Sequence, residues 1–414
     1  MLGNLTQNNQ LLLDRVLIPI IFLFILLLGN YGIFFDHNFI ANEVQYIIHG
    51  FHAGNVNSSG WRPDIGLGLS YFFGDPGTFH VWALFRWWNH LFTNPLDGHN
   101  VSVIALLWAG CLTQFIFLRK VLPNLGRVIS VFLACLIAFG SVRYTAFFLQ
   151  GVFGPFMPIA IPLICLILHD FSLKPSIKQY FYYTSTLTLA MMLGSTMIVV
   201  HLVVFSCGFF LVLAFFEKWH ENWTVFCSKF GRFILLNVST GLSLLILVAW
   251  AFYSMFVENQ AAHYVRDPNY VSNSFFISSI DLKFIFQHLS IYAQPNFLSL
   301  WSGALGPQQF LDLSGVGCFS ILLPIVLLIT LFHKSRNFWE FSFKCVFIGT
   351  VLYQELAAIA PGLMNLFHFL RPVGKFSGVL SVFGILGLGI CLSRIRSNEL
   401  KVSDRLSFLI RCVA

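Results

Sequence analysis

The chain has 414 residues, of which 57% are hydrophobic and 10% are charged. Soluble domains carry about 25% charged residues, so a chain this poor in charge could not cover a soluble surface of its size, and the bilayer must be its main solvent. The net charge of +7 does not indicate nucleic-acid binding here. The basic residues lie in short segments between apolar runs, so their distribution indicates how the chain is oriented in the membrane.

Ten apolar runs predict membrane-spanning helices, since about 20 apolar residues cross the hydrocarbon core. The first run lacks a small-residue cleavage site followed by a polar start, so we interpret it as an uncleaved helix and not as a signal peptide. We therefore predict an all-α polytopic membrane protein with a single transmembrane domain over residues 1–414. The predicted spans are 16–35, 101–118, 128–143, 147–168, 180–193, 197–216, 233–257, 316–332, 338–354 and 376–392.

The distribution of lysine and arginine predicts the orientation of these spans. With the N-terminus on the cytoplasmic side, most of the 24 basic residues fall in inner segments, and every inner segment is basic. One missed or invented span would destroy this alternation, so both termini are predicted to be cytoplasmic. The basic residues left in outer segments are Arg62, Arg86, Arg143, Arg266, Lys283, Arg371 and Lys375.

Two predicted outer segments, about 36–100 and about 258–315, are too long to be simple connectors. Long loops in compact proteins are usually functional. The first contains the aromatic stretch FHVWALFRWW over residues 79–88, which favours an amphipathic helix lying in the membrane interface. The tail 393–414 is short and basic, and we expect it on the cytoplasmic face.

The principal catalytic candidate is Asp36, which follows the first predicted span in the sequence FFDHN. A carboxylate at a membrane boundary can accept a proton from an incoming hydroxyl. Glu43 is a second catalytic candidate, since positions i and i+7 share one face if the segment is helical. His37, beside Asp36, is a candidate for substrate binding. The alternative is that Asp36 only caps a helix or ends the span in water.

The sequence WRPDIGLGL, residues 61–69, combines glycines with one rigid proline. Glycine permits unusual backbone angles and a close approach to a ligand. Arg62 and Asp64 in this segment are therefore candidates for substrate binding, and a plain turn is the alternative.

Arg371 and Lys375 lie just before the last predicted span, on the predicted outer side. Arginine binds phosphate oxygens through a planar fork and lysine acts as a point charge. At the depth of the lipid headgroups, the two side chains could hold the phosphate of a lipid carrier. The alternative is ordinary snorkelling of both side chains to the headgroups.

Other ionisable residues give weaker signals. His201 in the sixth span and Glu355 after the ninth are candidates because ionisable groups near spans are often functional. The outer histidines show no metal-ligand spacing with a carboxylate, although His49 and His52 could share a helix face. No cysteine pair has CxxC spacing. We therefore predict no cofactor, and a divalent metal is not indicated.

Four features together resemble a known layout. They are a first span followed at once by an outer Asp, a long loop with an amphipathic part, the Gly/Pro-rich segment, and a late Arg-Pro at 371–372. It is that of the GT-C superfamily of membrane glycosyltransferases, and more narrowly of the YfhO-like bacterial membrane proteins. The resemblance covers most of the chain. It differs at Asp36, which is followed by His37 and not by a second acid.

The resemblance implies transfer of a sugar from a polyprenyl-phosphate donor to a glycan, lipid or protein acceptor on the outer face of a bacterial inner membrane. It assigns the acidic role to Asp36, with Glu43 as a second candidate, and donor phosphate binding to Arg371 and Lys375. Two alternatives stay open. One is a lipid or glycan transporter or flippase, which would place ionisable residues in the middle of spans. The other is a non-catalytic membrane assembly subunit.

Overall fold

The computed structural model describes eight parts of the chain, and the structural statements below concern these parts. They are residues 13–29, 61–62, 69–70, 95–139, 156–193, 196–261, 333–359 and 377–397.

The described chain is helical. A π-helical turn, Leu13–Leu17, leads into the first helix, and 3₁₀ turns lie at Pro123–Leu125 and Trp219–Glu221. The α-helices are α1 (Ile18–Gly29), α2 (Pro95–Val121), α3 (Arg127–Phe139), α4 (Met157–Leu173), α5 (Ile177–Leu193), α6 (Thr196–Phe216), α7 (Trp223–Ala261), α8 (Phe338–Ile359) and α9 (Ser377–Arg396).

Three of these helices contain segments long and apolar enough to cross a membrane: Ile104–Val121, Val199–Phe216 and Trp223–Ile246. Arg127–Ala138 and Met157–Leu173 are shorter apolar helices. The prediction of a helical integral membrane protein is therefore confirmed. The count of ten spans stays a prediction, and the span predicted at 316–332 lies outside the described residues.

α2 and α7 extend furthest beyond their predicted bounds, and α4 and α8 each end five residues later than predicted. α2 begins at Pro95, inside the segment predicted as the first outer loop, because proline is well suited to the first helical turn. α7 has 39 residues and reaches Ala261. At 1.5 Å per residue it is about 58 Å long, well beyond the roughly 30 Å hydrocarbon core. Its apolar segment Trp223–Ile246 begins ten residues before the span predicted at 233–257.

A short strand pair also lies among the described residues. β1 (Trp61–Arg62) and β2 (Leu69–Ser70) pair antiparallel, with Trp61 opposite Ser70 and Arg62 opposite Leu69. The prediction of a helical protein is confirmed, and Pro63 and two glycines, which disfavour helix, follow β1 in the sequence.

The turn between α2 and α3 depends on a glycine. Gly126 has φ 85°, a backbone angle that residues with a Cβ rarely adopt. Its carbonyl oxygen accepts hydrogen bonds from the backbone N–H of Ser130 (3.2 Å) and from its hydroxyl (2.6 Å). This turn reverses the chain within a few residues, so α2 and α3 pack side by side.

The core is formed by α2, α4, α6, α8 and α9, with α1 and α3 packed on α2. Aromatic side chains join the helices: the Phe117 ring on α2 meets the Trp339 ring on α8 edge to face at 5.4 Å, and Phe209 on α6 meets Phe383 on α9 at 6.5 Å. Glycines let α9 approach closely. A Cβ at Gly387 would overlap the Phe343 ring, and one at Gly389 would lie 2.8 Å from Leu122 Cδ1.

α7 lies at the edge of this bundle and packs on α5. Three hydrogen-bonded pairs join the two helices: Tyr180 with Ser243 (3.1 Å), Tyr183 with Asn237 (3.0 Å) and Thr184 with Thr240 (2.9 Å). In lipid, where burial of apolar surface does not drive helix association, such bonds help to hold helices together. The opposite face of α7 exposes apolar residues, including Leu235 and Ile246, as a lipid-facing surface does.

Candidate functional site

The residues predicted to form the outer site fall almost entirely beyond the described residues. Asp36, His37, Glu43, Asp64, Arg371 and Lys375 lie outside them, and only the backbone of Arg62 is described, in β1. Their catalytic and binding roles therefore stay predictions. What the structure supplies is the position of the helices that flank them.

The start of α1 and the end of α9 meet at the same end of the bundle. Asp14 Oδ1, just before α1, accepts a hydrogen bond from Arg127 Nε at 2.8 Å. Arg396 Nη1, at the end of α9, donates to the carbonyl oxygen of Asn124 at 3.2 Å. Asn124 lies in the turn between α2 and α3, and Arg127 is the first residue of α3. We call the end of the bundle at this turn the basic end.

Gly29 and Ser377 must then lie towards the opposite end, since α1 runs away from the basic end and α9 runs into it. The 1.5 Å rise per residue separates Asp14 from Gly29 by about 22 Å and Ser377 from Arg396 by about 28 Å. Gly29 and Ser377 therefore lie at comparable distances from the basic end.

Further contacts at the basic end join elements that sequence analysis assigned to one side of the membrane. Lys120 Nζ at the end of α2 lies 2.7 Å from Asp170 Oδ2 near the end of α4. His169 stacks on Phe338 at the start of α8, with ring centroids 5.2 Å apart. The described parts of the predicted inner segments around Arg15, 119–127, 334–344 and 394–396 therefore share one end of the helical bundle, although which face of the membrane this end occupies stays a prediction.

A buried ion pair joins α8 to α9. Arg394 Nη2 lies 2.5 Å from Glu340 Oε2, and its Nε lies 3.4 Å from Oε1, with side-chain exposures of 5% and 9%. Arg394 Nη2 also donates to the carbonyl oxygen of Lys334 at 3.1 Å. Both oxygens of the carboxylate thus face the planar fork of the guanidinium, the geometry that makes a buried pair tolerable.

The same carboxylate caps α8. Glu340 Oε2 accepts from the backbone N–H of Arg336 at 3.0 Å, while Asn337 Oδ1 accepts from the backbone N–H of Glu340 at 3.0 Å. This arrangement is related to a capping box, for which the spacing of Asn337 and Glu340 is a sequence signal, but the carboxylate accepts from Arg336, one residue before the N-cap Asn337. The partnership with Arg394 has no such signal, because 54 residues separate the pair.

Several polar side chains are buried within the helices. His201 on α6, a candidate from the sequence, is fully buried. Gln114 on α2 is also fully buried, and neither its Oε1 nor its Nε2 has a hydrogen-bond partner among the described residues. Glu355 belongs to α8, but its side chain lies outside the described set. In the described parts, no group of three or more metal-ligating side chains comes together.

The fold of the chain was compared with those of known proteins. No protein-family model matches the chain, and no curated protein matches it. Its fold is similar to that of the apo crystal structure of the Archaeoglobus fulgidus oligosaccharyltransferase, with a TM-score of 0.49 and 12% sequence identity. The match covers 96% of this chain and 54% of that one, so the chain spans about half the length of the archaeal protein.

Proposed function

We propose that this protein is a membrane glycosyltransferase of the GT-C type, which transfers a sugar from a polyprenyl-phosphate donor to a glycan, lipid or protein acceptor. The proposal includes a bacterial inner membrane, cytoplasmic termini and a site on the outer face. It starts from the resemblance in the sequence, in which an acidic residue follows the first span and two cations precede the last.

The observation that carries the proposal is the direction of α1 and α9. Asp36 follows Gly29, the last residue of α1, by seven positions, and Arg371 and Lys375 precede Ser377, the first residue of α9, by six and two. Because both helix ends lie away from the basic end, chain connectivity favours one shared side for the acid and the two cations. Transfer with a lipid-phosphate leaving group needs that combination.

In the proposed reaction, the acceptor hydroxyl oxygen attacks the anomeric carbon of the sugar and forms the new glycosidic bond. The hydroxyl proton passes to the Asp36 carboxylate, which acts as general base. The bond between the anomeric carbon and the phosphate oxygen breaks, and the lipid phosphate leaves with the electron pair. Arg371 and Lys375 stabilise the negative charge on the leaving phosphate. No oxidant, reductant or further co-reactant is required.

The decisive experiment follows transfer of labelled sugar from a polyprenyl-phosphate donor in membranes that contain wild type or Asp36→Asn. Loss of a general base lowers rates by about 10²- to 10⁴-fold, so we expect Asp36→Asn to lose transfer while its expression level is unchanged. Asp75→Asn, in the same predicted loop, is the matched control and should stay active. Wild-type membranes inactive with every donor tried, or Asp36→Asn as active as wild type, would refute the proposal.

A transporter is the second candidate, and a different observation favours it. Fully buried polar side chains in membrane helices, such as Gln114 and His201, often mark substrate pathways. A transporter would move labelled lipid-linked sugar across sealed vesicles without forming a new glycosidic bond. The same labelled donor therefore separates the two functions, since only the glycosyltransferase makes a labelled acceptor.

A further inference from the structure

Three arginines converge on the short turn between α2 and α3 at the basic end. Arg119 Nη1 lies 3.4 Å from the carbonyl oxygen of Pro123, and Arg396 Nη1 lies 3.2 Å from that of Asn124. Arg127, the residue after the turn, pairs with Asp14. One turn of five residues thus gathers three guanidinium groups that come from α2, α3 and α9.

Among the described residues, the carboxylates near this turn only partly balance the three positive charges. Asp14 is paired with Arg127, whereas in the described structure Arg119 and Arg396 donate to backbone carbonyls. Arg119 lies close enough to Arg127 to be repelled by its charge, and close enough to Asp14 to be attracted by that carboxylate, which Arg127 shares. A cluster of this kind is complementary to an anion with several oxygen atoms, because each guanidinium presents donors in a planar fork.

The depth of the turn indicates the source of that anion. It follows directly on Ile104–Val121, one of the apolar segments long enough to cross the bilayer, so it lies at the level of the lipid headgroups. The adjoining helix surfaces are apolar and open. Ile20 and Phe24 on α1 are 57% and 61% exposed, and Val128 and Phe132 on α3 are 51% and 61% exposed.

We propose that the turn between α2 and α3 is a binding site for an anionic phospholipid of the adjoining leaflet. Arg119 and Arg396 hold the headgroup phosphate, and the acyl chains lie along the exposed apolar faces of α1 and α3. Arg127 adds positive charge and is positioned by Asp14. The site is separate from the proposed catalytic function and lies at the opposite end of α1 and α9, so either can fail without the other.

The test is native mass spectrometry of the full chain in detergent micelles with added phosphatidylglycerol or phosphatidylcholine. A basic residue near an anionic lipid surface contributes about a fivefold gain in binding. We therefore expect wild type to retain phosphatidylglycerol over phosphatidylcholine, and the Arg119→Gln/Arg396→Gln variant to retain it about 20-fold less well. Lys229→Gln is the matched charge control, because α7 packs on α5 and not on this turn. It should bind as wild type does.

Two further measurements make the result decisive. Arg396 is exposed, so Arg396→Gln alone keeps the fold and should still lose about fivefold in retention. Inorganic phosphate at equal concentration should not displace the lipid, because it lacks acyl chains for α1 and α3. The proposal is wrong if the double variant retains phosphatidylglycerol as wild type does, if phosphatidylcholine is retained equally, or if inorganic phosphate displaces the lipid.

Discussion

At the scale of single residues, the two described salt bridges that involve Lys120 and Arg394 differ in one respect that decides their importance. The side chains of Lys120 and Asp170 are 50% and 40% exposed, so water and ions screen their attraction. Arg394 and Glu340 are almost fully buried. Removing one partner of a buried pair leaves an uncompensated charge, whereas removing one partner of an exposed pair leaves a hydrated side chain.

We predict that Arg394→Met destabilises the protein by about 3–5 kcal/mol, because it leaves the Glu340 carboxylate buried without its cation. Thermal unfolding in detergent, compared with wild type, measures the effect. The Arg394→Met/Glu340→Met variant should be more stable than Arg394→Met, since neither charge then remains. Lys120→Met, which removes an exposed partner, should cost at most about 1 kcal/mol. Equal losses for Lys120→Met and Arg394→Met would contradict the difference in burial.

At the scale of elements, the packing of α9 depends on glycines, whose lack of a side chain lets neighbouring helices come close. It contacts α3, α4 and α8, and Gly387 and Gly389 allow this close approach to Phe343 and Leu122. Small residues at such contacts let helices in a membrane pack through van der Waals contact and backbone proximity. A Cβ at Gly349 on α8, by contrast, would meet no atom of the described residues within 4 Å.

We predict that Gly387→Ala destabilises the α8–α9 contact by about 1–3 kcal/mol, because the added methyl group overlaps the fully buried Phe343 ring. Gly349→Ala is the matched control and should be neutral or stabilising by up to about 1 kcal/mol. The measurement is the unfolding midpoint of each purified variant. The Gly387→Ala/Phe343→Leu variant should lose less stability than the sum of the losses of the two single variants, because the smaller side chain at position 343 removes the overlap. Strict additivity would show that the ring and the glycine do not interact.

At the scale of the whole molecule, the alternation of basic and non-basic segments has a structural counterpart. The ion pair between Lys120 and Asp170, the hydrogen bond from Arg396 and the stacking of His169 all join segments predicted to share one side. Helices that alternate in direction bring every second connection to the same end of a bundle, so the charge pattern and the packing describe one topology.

We predict that this basic end is cytoplasmic. Labelling with a membrane-impermeant amine reagent should modify Lys174, Lys178 and Lys229 in inverted vesicles, and Lys283 and Lys375 in sealed vesicles of the native orientation. Mass spectrometry of the peptides reads both sets in the unmodified chain, and detergent-solubilised protein shows which lysines can react at all. Labelling of Lys174 and Lys283 from the same side would mean that the number of spans between them is wrongly predicted.

Part of the fold could be predicted from local sequence. Apolar runs of sufficient length identify membrane helices because the backbone must satisfy its own hydrogen bonds in lipid, and the helices α5, α6 and α8 begin within a few residues of their predicted starts. Bounds at α2 and α7 were less predictable, since a helix can continue past the apolar run that marks it. The outer site stays a prediction from the resemblance, because Asp36, Glu43, Arg371 and Lys375 lie outside the described residues.

The sequence by itself determined that the chain is an integral membrane protein with membrane-spanning helices, and it predicts that basic residues collect on one side of the membrane. These properties follow from composition and from the order of residues along each helix. Tertiary structure alone decided that Arg394 pairs with Glu340, that three arginines meet at the turn between α2 and α3, and that Gly387 faces Phe343. Residues far apart in the chain make these contacts, and their meeting depends on how helices rotate and pack, which a local pattern does not encode.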